Sequence, residues 1–381
     1  MPDAVAQRVI GQVYPWDLAD DPRRARSWVA AGVAGVAVAV NYHAVRAIRW
    51  QEDGAPRVIQ QDASAHHLPI RDRVWAGRAL RPRPPIGLPD DLFAQAMEVA
   101  REAGLVPSAW FAATHVDGAA PGDVRPFAVV DAWGNRSAYA LCPSWPEVRA
   151  YGRGIIEDVV RETGVTSFLV ESISAPGFGH SVAHDKSEFA AIDARMARDL
   201  SLCFCAACAE RVGRAGRDPD RESALIRHLF ADRPRGDEVD EVVARRDVDR
   251  AGQVLDFVEE MALPVGGRPI ELTVAATADL GARGAFAPVT RKPVPALGLC
   301  IDLSAPDGRG RRDLESWSSW PDVRRCGTMA LTGPGSALDM LGSARSDLSA
   351  STPLDDLYLY HLGLFPPRRL DELDIPALTR T

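Results

Sequence analysis

Long apolar runs are missing from this chain. The most extended, Val33 to Val40 with its flanks, is far shorter than the about 20 residues a membrane-spanning helix needs. Met1 to Ile10 lacks the basic-then-apolar pattern of an export signal. The expectation is a soluble, cytoplasmic protein with no membrane partner. Positive charge is also short: 44 Lys and Arg against 52 Asp and Glu leave a net −8, so no overall field would attract a nucleic acid. Cysteine is scarce, six in 381 residues, which is too few for a disulfide scaffold. No strand-like run leads into G-x-G-x-x-G. The nearest approach, Gly177 and Gly179, has Val182 where the third glycine belongs. H-E-x-x-H is absent, and no H-x-H follows the first strand-like run.

What is present reads as globular. Hydrophobic residues make up 46% and charged residues 25%, which excludes disorder and coiled coil, while 31 glycines and 29 prolines point to many loops. Short β-rich runs recur at Arg8 to Tyr14, Val33 to Val40, Val106 to Ala112, Val165 to Val170, Pro269 to Ala276, Ala296 to Ile301, Gly327 to Leu331 and Leu357 to Tyr360. Between many of them lie segments of helical period, such as Leu92, Phe93, Ala96, Met97, Ala100 and Ala103, or Val148, Tyr151, Ile155 and Val159. Gly32, Gly104 and Gly164 stand where a helix must stop before the next strand. Continuous apolar strands in alternation with helices predict an α/β fold, a (β/α)8 TIM barrel over residues 1–381 as one domain. A long insertion follows strand two over 42–90, and a loop and helical excursion runs over about 172–250. The absence of a convincing helix over Thr277 to Pro295 leaves an open doubly wound sheet as the alternative.

In such barrels the working residues sit where strands run out into the following loops. Those positions hold Tyr14, Trp16 and Asp17 after strand one, Asn41, Tyr42 and His43 after strand two, and Thr114 and His115 after strand three. Glu171 and Ser172 follow strand four, Asp302 strand six, Thr332 strand seven, and Tyr360 and His361 strand eight. Glu171 closes a buried apolar strand, where desolvation would raise its pKa toward that of a general acid. A carboxylate there can equally pair with an arginine at the rim. Asp302 is the expected partner carboxylate, with an N-cap or loop hydrogen bond as its plain alternative. Trp16, Asp17, Asn41, His43, His115, His180, His184, Tyr360 and His361 are the expected substrate contacts. The loop tryptophans Trp16, Trp133, Trp145, Trp317 and Trp320 could stack on sugar rings or simply close helix ends. The histidines could also hold a divalent ion with Glu171.

Cys203, Cys205 and Cys208 lie within six positions, a spacing that lets thiolates converge on one tetrahedral ion. Cys142 is the expected fourth ligand of a structural zinc. The alternative is packed, reduced thiols. No other cofactor is required.

The stretch ALCPSWPEVRAYGRGIIEDVVRETGVTSFLVES resembles the central part of glycoside-hydrolase-like (β/α)8 proteins, including bacterial members of unassigned activity. The likeness is best over about 90 to 210, and VIGQVYPWDL and YLYHLG look like first and last barrel strands. It implies that Glu171 occupies the strand-four acidic position, a catalytic acid or nucleophile in many such enzymes. MALTGPG offers no strand-seven carboxylate and ELTVAAT no strand-five glutamate, so the resemblance does not supply the second acid. The resulting expectation is a glycoside hydrolase-like enzyme that uses carboxylate acid/base chemistry on a small carbohydrate or glycoside. The alternatives are a metal-dependent barrel lyase, isomerase or hydrolase with His and Glu ligands, and a non-catalytic carbohydrate-binding barrel.

Overall fold

Each of the eight apolar runs forms a strand. In the computed structural model they are β1 (Arg8–Val13), β2 (Gly35–Tyr42), β3 (Val106–Ala112), β4 (Ser167–Glu171), β5 (Glu271–Ala276), β6 (Leu297–Asp302), β7 (Arg324–Ala330) and β8 (Asp356–Tyr360). The structure describes residues 7–51, 53–117, 124–180, 186, 192–228, 236–277, 294, 296–304, 310, 312–313, 323–331 and 354–378. Each strand pairs in parallel with the next, and β8 pairs with β1, which also pairs with β2, so the sheet closes. Closure excludes the open doubly wound alternative. The chain is a (β/α)8 barrel.

Burial on both faces explains the unbroken apolar strands. The outer faces of the strands, including Val36, Val38, Phe111, Phe168, Val170 and Val274, pack against helices Leu92–Ala103, Pro146–Thr163 and Asp237–Ala262. The inner faces form a separate core of Ile10, Ala37, Ala39, Trp110, Leu169, Cys300, Cys326 and Tyr358. Gly104 and Gly164 end their helices in the left-handed conformation, at φ 89° and 73°. Gly152 sits where two helices approach closely: a Cβ there would lie 2.6 Å from the Phe257 ring.

Strand seven starts earlier than the apolar pattern predicts. It begins at Arg324, not Gly327, and Cys326 lies within the strand and not before it. Two successive arginines interrupt the apolar run, but Arg324 is neutralised inside the lower end of the barrel. It ion-pairs with Glu271, lies 3.2 Å from Asp356 and donates to Thr273 Oγ1 at 2.9 Å. Arg8 Nε donates to the same Asp356 at 2.7 Å.

After β2 the chain forms an antiparallel hairpin, Val45–Trp50 with Pro56–Gln61, and then a two-residue strand, Ala65–His66, antiparallel to β2. This segment is tied to the barrel's outer layer, because buried Asp158 of helix Pro146–Thr163 accepts from Trp75 Nε1 at 3.0 Å and pairs with His66 Nε2 at 3.1 Å. A second hairpin, Ala128–Val130 with Arg136–Leu141, follows β3. Helices Ala194–Leu200, Ala206–Arg214 and Pro219–His228 lie between β4 and the 26-residue helix Asp237–Ala262. They share a small core of Ala132, Leu202, Ile226, Val239 and Val243 with the second hairpin's turn. No helix among the described residues is long and apolar enough to cross a membrane.

Candidate functional site

The upper rim of the barrel brings the ends of β1, β2, β3, β4 and β8 together around one carboxylate. Strand alternation sets the inward direction: Trp110 on β3 points into the barrel, and so does Glu171, which lies one register step above the paired Phe111 and Val170. Ser172 next adopts a left-handed backbone at φ 49°. Thr114 holds that turn, its hydroxyl donating to the Ser172 carbonyl at 2.6 Å and lying 3.0 Å from the Ser174 carbonyl, while its amide donates to the Ser172 carbonyl at 2.9 Å. The turn fixes where the Glu171 side chain leaves the sheet.

Aromatic groups surround Glu171. Tyr42 and Tyr360 place their hydroxyls 3.4 Å apart. Tyr14 stacks on both Trp16 and His361, each at 4.6 Å between ring centres, and its hydroxyl is 3.2 Å from His361 Nε2. Trp110 packs against Tyr42 at 4.5 Å and His361 at 5.1 Å. Burial among these rings pushes the half-buried Glu171 carboxyl up to about 7, although Tyr42, Trp110 and the nearby His115 draw it partly back. Burial is also the main reason the Tyr14, Tyr42 and Tyr360 phenols are raised, with Glu171 adding to each shift. Burial lowers His361 to about 3, so its ring is neutral near pH 7.

Beside this pocket stands a second polar group. His43 stacks on His115 at 4.4 Å, and Asp117 accepts from His115 Nε2 at 3.2 Å and from the Ala44 amide at 3.0 Å. One donor atom from each of His43, His115 and Asp117 falls within 4.8 Å of the others. His43 is pulled down to about 4, first by burial and then by His115. His180 meets the edge of His115 at 4.8 Å, with Tyr139 beside both. Of the strand-four loop, His180 thus lies beside His115 and Tyr139. His184 lies outside the described residues, as do Trp317, Trp320 and Thr332.

Asp302 ends β6, exposed, with its carboxylate accepting from the Ser304 amide at 2.9 Å. The chain of register partners Val170, Val274 and Leu299 puts Asp302 two residues higher than the level of Glu171, on the same inward face as Cys300. Sheet spacing then separates the two Cα atoms by roughly 11 Å. The strand between them turns Ala275 inward at the level of Glu171 and Ala276 outward into the helix-side core, so a small side chain lines the barrel there.

Three expected contacts sit deeper than the pocket surface. Trp16 is buried behind Tyr14, and its carbonyl accepts from Arg49 at 2.7 Å. Asp17 is fully buried, accepts from the Tyr14 amide at 2.9 Å and faces Arg24 at 3.8 Å, so it braces the turn after β1. Asn41 is buried and accepts from the Tyr151 hydroxyl at 3.3 Å. Of the other tryptophans, Trp145 packs edge-on against Phe127 at 5.7 Å and Trp133 is exposed at a hairpin turn. Trp110 and Asp117 were not expected from the sequence. Trp110 is hidden inside an apolar strand, where only alternation with Ala112 marks it as inward-facing. The signal for Asp117 is its position two residues after His115. All four expected cysteines converge elsewhere, 142 with 203, 205 and 208, on the outer side of the second hairpin.

No protein-family model matches the chain, and no curated protein matches its sequence. Solved structures do match its fold. The PgaB glycoside hydrolase domain from Bordetella bronchiseptica superposes with a TM-score of 0.58 at 13% identity, over 99% of this chain and 98% of that one. The catalytic domain of the beta-amylase from Paenibacillus polymyxa gives 0.54 at 11% identity, over 99% and 100%. The alpha-L-fucosidase isoenzyme 2 from Paenibacillus thiaminolyticus gives 0.51 at 11% identity, over 98% of this chain and 49% of that one. At these identities the likeness concerns architecture alone: the chain shares the (β/α)8 barrel fold of these proteins.

Proposed function

We propose that this chain is a glycosidase of small carbohydrates or glycosides in which Glu171 is the general acid. The observation that carries the reading is the Glu171 carboxyl itself, half-buried at the end of β4 in a ring of aromatic groups and raised to about 7. A carboxyl in that range still holds its proton near neutral pH and gives it up readily to a leaving oxygen. The partly exposed Tyr360 supplies an apolar face of the kind that stacks on a pyranose ring and a hydroxyl partner, with Tyr42 and Trp110 buried behind it. Asp302 takes the part of the second carboxylate. An inverting mechanism places the two carboxyl groups about 6.5–9.5 Å apart, with a water between them. Side chains reaching inward from Cα atoms roughly 11 Å apart can meet that range. The structural neighbours named above include a beta-amylase and a fucosidase, which supports carbohydrate as the substrate class.

Screening a panel of aryl glycosides against wild type, Glu171→Gln and Asp302→Asn tests this. Wild-type turnover on at least one glycoside, with a loss of about 100-fold or more in each variant and retained folding, is the expected result. Full activity of Glu171→Gln on a glycoside the wild type cleaves would sink the assignment. Saturable sugar binding without turnover would leave a carbohydrate-binding barrel.

A second reading rests on His43, His115 and Asp117, whose donor atoms are close enough for one divalent ion. Under that reading a chelator abolishes wild-type turnover and added divalent metal restores it, whereas His115→Ala is inactive with or without added metal.

A further inference from the structure

Cys142 directly follows the strand Arg136–Leu141 and precedes helix Pro146–Thr163, whereas Cys203 and Cys205 lead into helix Ala206–Arg214 and Cys208 lies in its first turn. More than sixty residues separate the two segments, yet all four Sγ atoms lie within 4.8 Å of one another. Cys142 Sγ and Cys208 Sγ are 3.6 Å apart. A tetrahedral zinc with Zn–S bonds of about 2.3 Å separates its sulfurs by about 3.8 Å. We infer that these four thiolates hold one structural zinc ion, and that it clasps the second hairpin to the helices following β4. This inference is independent of the glycosidase reading.

The surroundings fit a closed thiolate site. Three of the four cysteines are buried, and Val129, Val130, Trp145 and Ala207 cover the cluster with apolar surface. Polar groups reach the sulfurs from outside: the Cys205 amide donates to Cys203 Sγ at 3.5 Å and Gln253 Nε2 to Cys208 Sγ at 3.9 Å, while the Ser144 hydroxyl lies 3.1 Å from Cys208 Sγ. Donors of this kind spread the negative charge of zinc-bound thiolates and hold them in place. A single disulfide would use two of the sulfurs and leave no reason for the other two to converge. Four ligands fill a tetrahedral shell, so the ion has no position for water or substrate and its contribution is to hold structure.

The clasp lies next to the candidate pocket. The strand Arg136–Leu141, which Cys142 follows, is anchored on β3's exit by Leu141 N donating to Thr114 O at 2.8 Å, and by Val116 N donating to Tyr139 O at 2.8 Å. On the other arm, the Phe178 amide donates to Ser201 Oγ at 2.8 Å, two residues before Cys203. Metal binding therefore pins both supports of the wall that carries Tyr139 and His180.

Elemental analysis of full-length protein purified without chelator is the test. The expected result is one zinc per chain, reduced at least five-fold in Cys142→Ser and in Cys208→Ser and unchanged in Cys300→Ser. If the serine variants fail to fold, wild type decides: a mercurial that titrates thiols should release one zinc as four thiols react. Cobalt substituted for zinc should show the intense thiolate charge-transfer bands of a tetrahedral four-sulfur site. No metal, iron instead of zinc, or a Cys142–Cys208 disulfide found by peptide mapping would each overturn the inference. So would one zinc per chain retained by Cys142→Ser, which would put the ion on His43, His115 and Asp117.

Discussion

The hydroxyls of Tyr42 and Tyr360, carried by the two strands that flank β1, lie 3.4 Å apart beside Glu171. Tyr42 works against burial by drawing the Glu171 carboxyl down. As the general acid, Glu171 is active while protonated, so turnover should fall as pH rises through about 7. Tyr42→Phe removes the opposing influence and should move this basic limb to higher pH. A pH profile of kcat/KM for both proteins checks it, and a limb that stays fixed removes Tyr42 from the account.

The same carboxyl should weaken the fold. Its folded-state pKa is raised, so its stabilising contribution is complete below about 4.5 and disappears as pH rises through about 7. Glu171→Gln has no such loss. Its stability advantage over wild type should be small at pH 4.5 and reach about 3 kcal/mol at pH 8. Urea midpoints across that range measure it, and equal pH dependence in the two proteins contradicts the buried-acid description.

Acid acts through the histidines. Burial holds His43 to about 4 and His67 and His361 to about 3, so the folded protein resists protons that the unfolded chain accepts from about pH 6.5 downward. Each group should therefore subtract up to about 1.4 kcal/mol per pH unit as pH falls from about 6.5 toward those values. His67 is fully buried and has no hydrogen-bond partner for its ring among the described residues. His67→Leu should reduce the slope by about one proton. Measuring this in the Glu171→Gln background separates it from the opposite trend of the carboxyl. An unchanged slope would show that His67 titrates normally.

At the lower end of the barrel, Asp356 accepts from Arg8 and faces Arg324 while fully buried. Asp356→Asn leaves Arg324 short of compensation and should cost about 3–5 kcal/mol. Arg8 is half-exposed, and Arg8→Ala should cost about 1 kcal/mol or less. Chemical denaturation of the two variants compares them, and equal losses would mean that the barrel interior does not discriminate between the two arginines.

The sequence exposes the barrel because strands buried on both faces have to be apolar throughout, as Val36 to Val40 and Phe168 to Val170 are. It conceals whatever the closed sheet neutralises internally, which is why Arg324 obscures the start of β7. The same division governs the pocket. Glu171, His43, His115, Tyr360 and His361 stand at strand ends and can be read from position. Trp110 is indistinguishable in sequence from an ordinary core residue, and Asp117 acquires its neighbours only when the loop after β3 folds back against His43 and Ser64. Burial of Trp16 and Asp17 follows from the short helix Pro15–Ala19, which turns them away from the rim. The cysteine spacing shows three sulfurs, and folding brings in the fourth.

The charges at the barrel floor also restrict how the strands can align. A two-residue slip of β7 against its neighbours would keep every side chain on its proper face, so apolar patterning alone does not oppose it. Such a slip would lift Arg324 to the height now held by Cys326, level with Cys300 and Asp356, and away from Glu271. Loss of one of the two carboxylates that compensate a partly buried guanidinium is a larger penalty than a rearranged methyl group. The floor thus acts as a keyed lock on the last strands to close, selecting one alignment of the barrel from those its apolar pattern would permit.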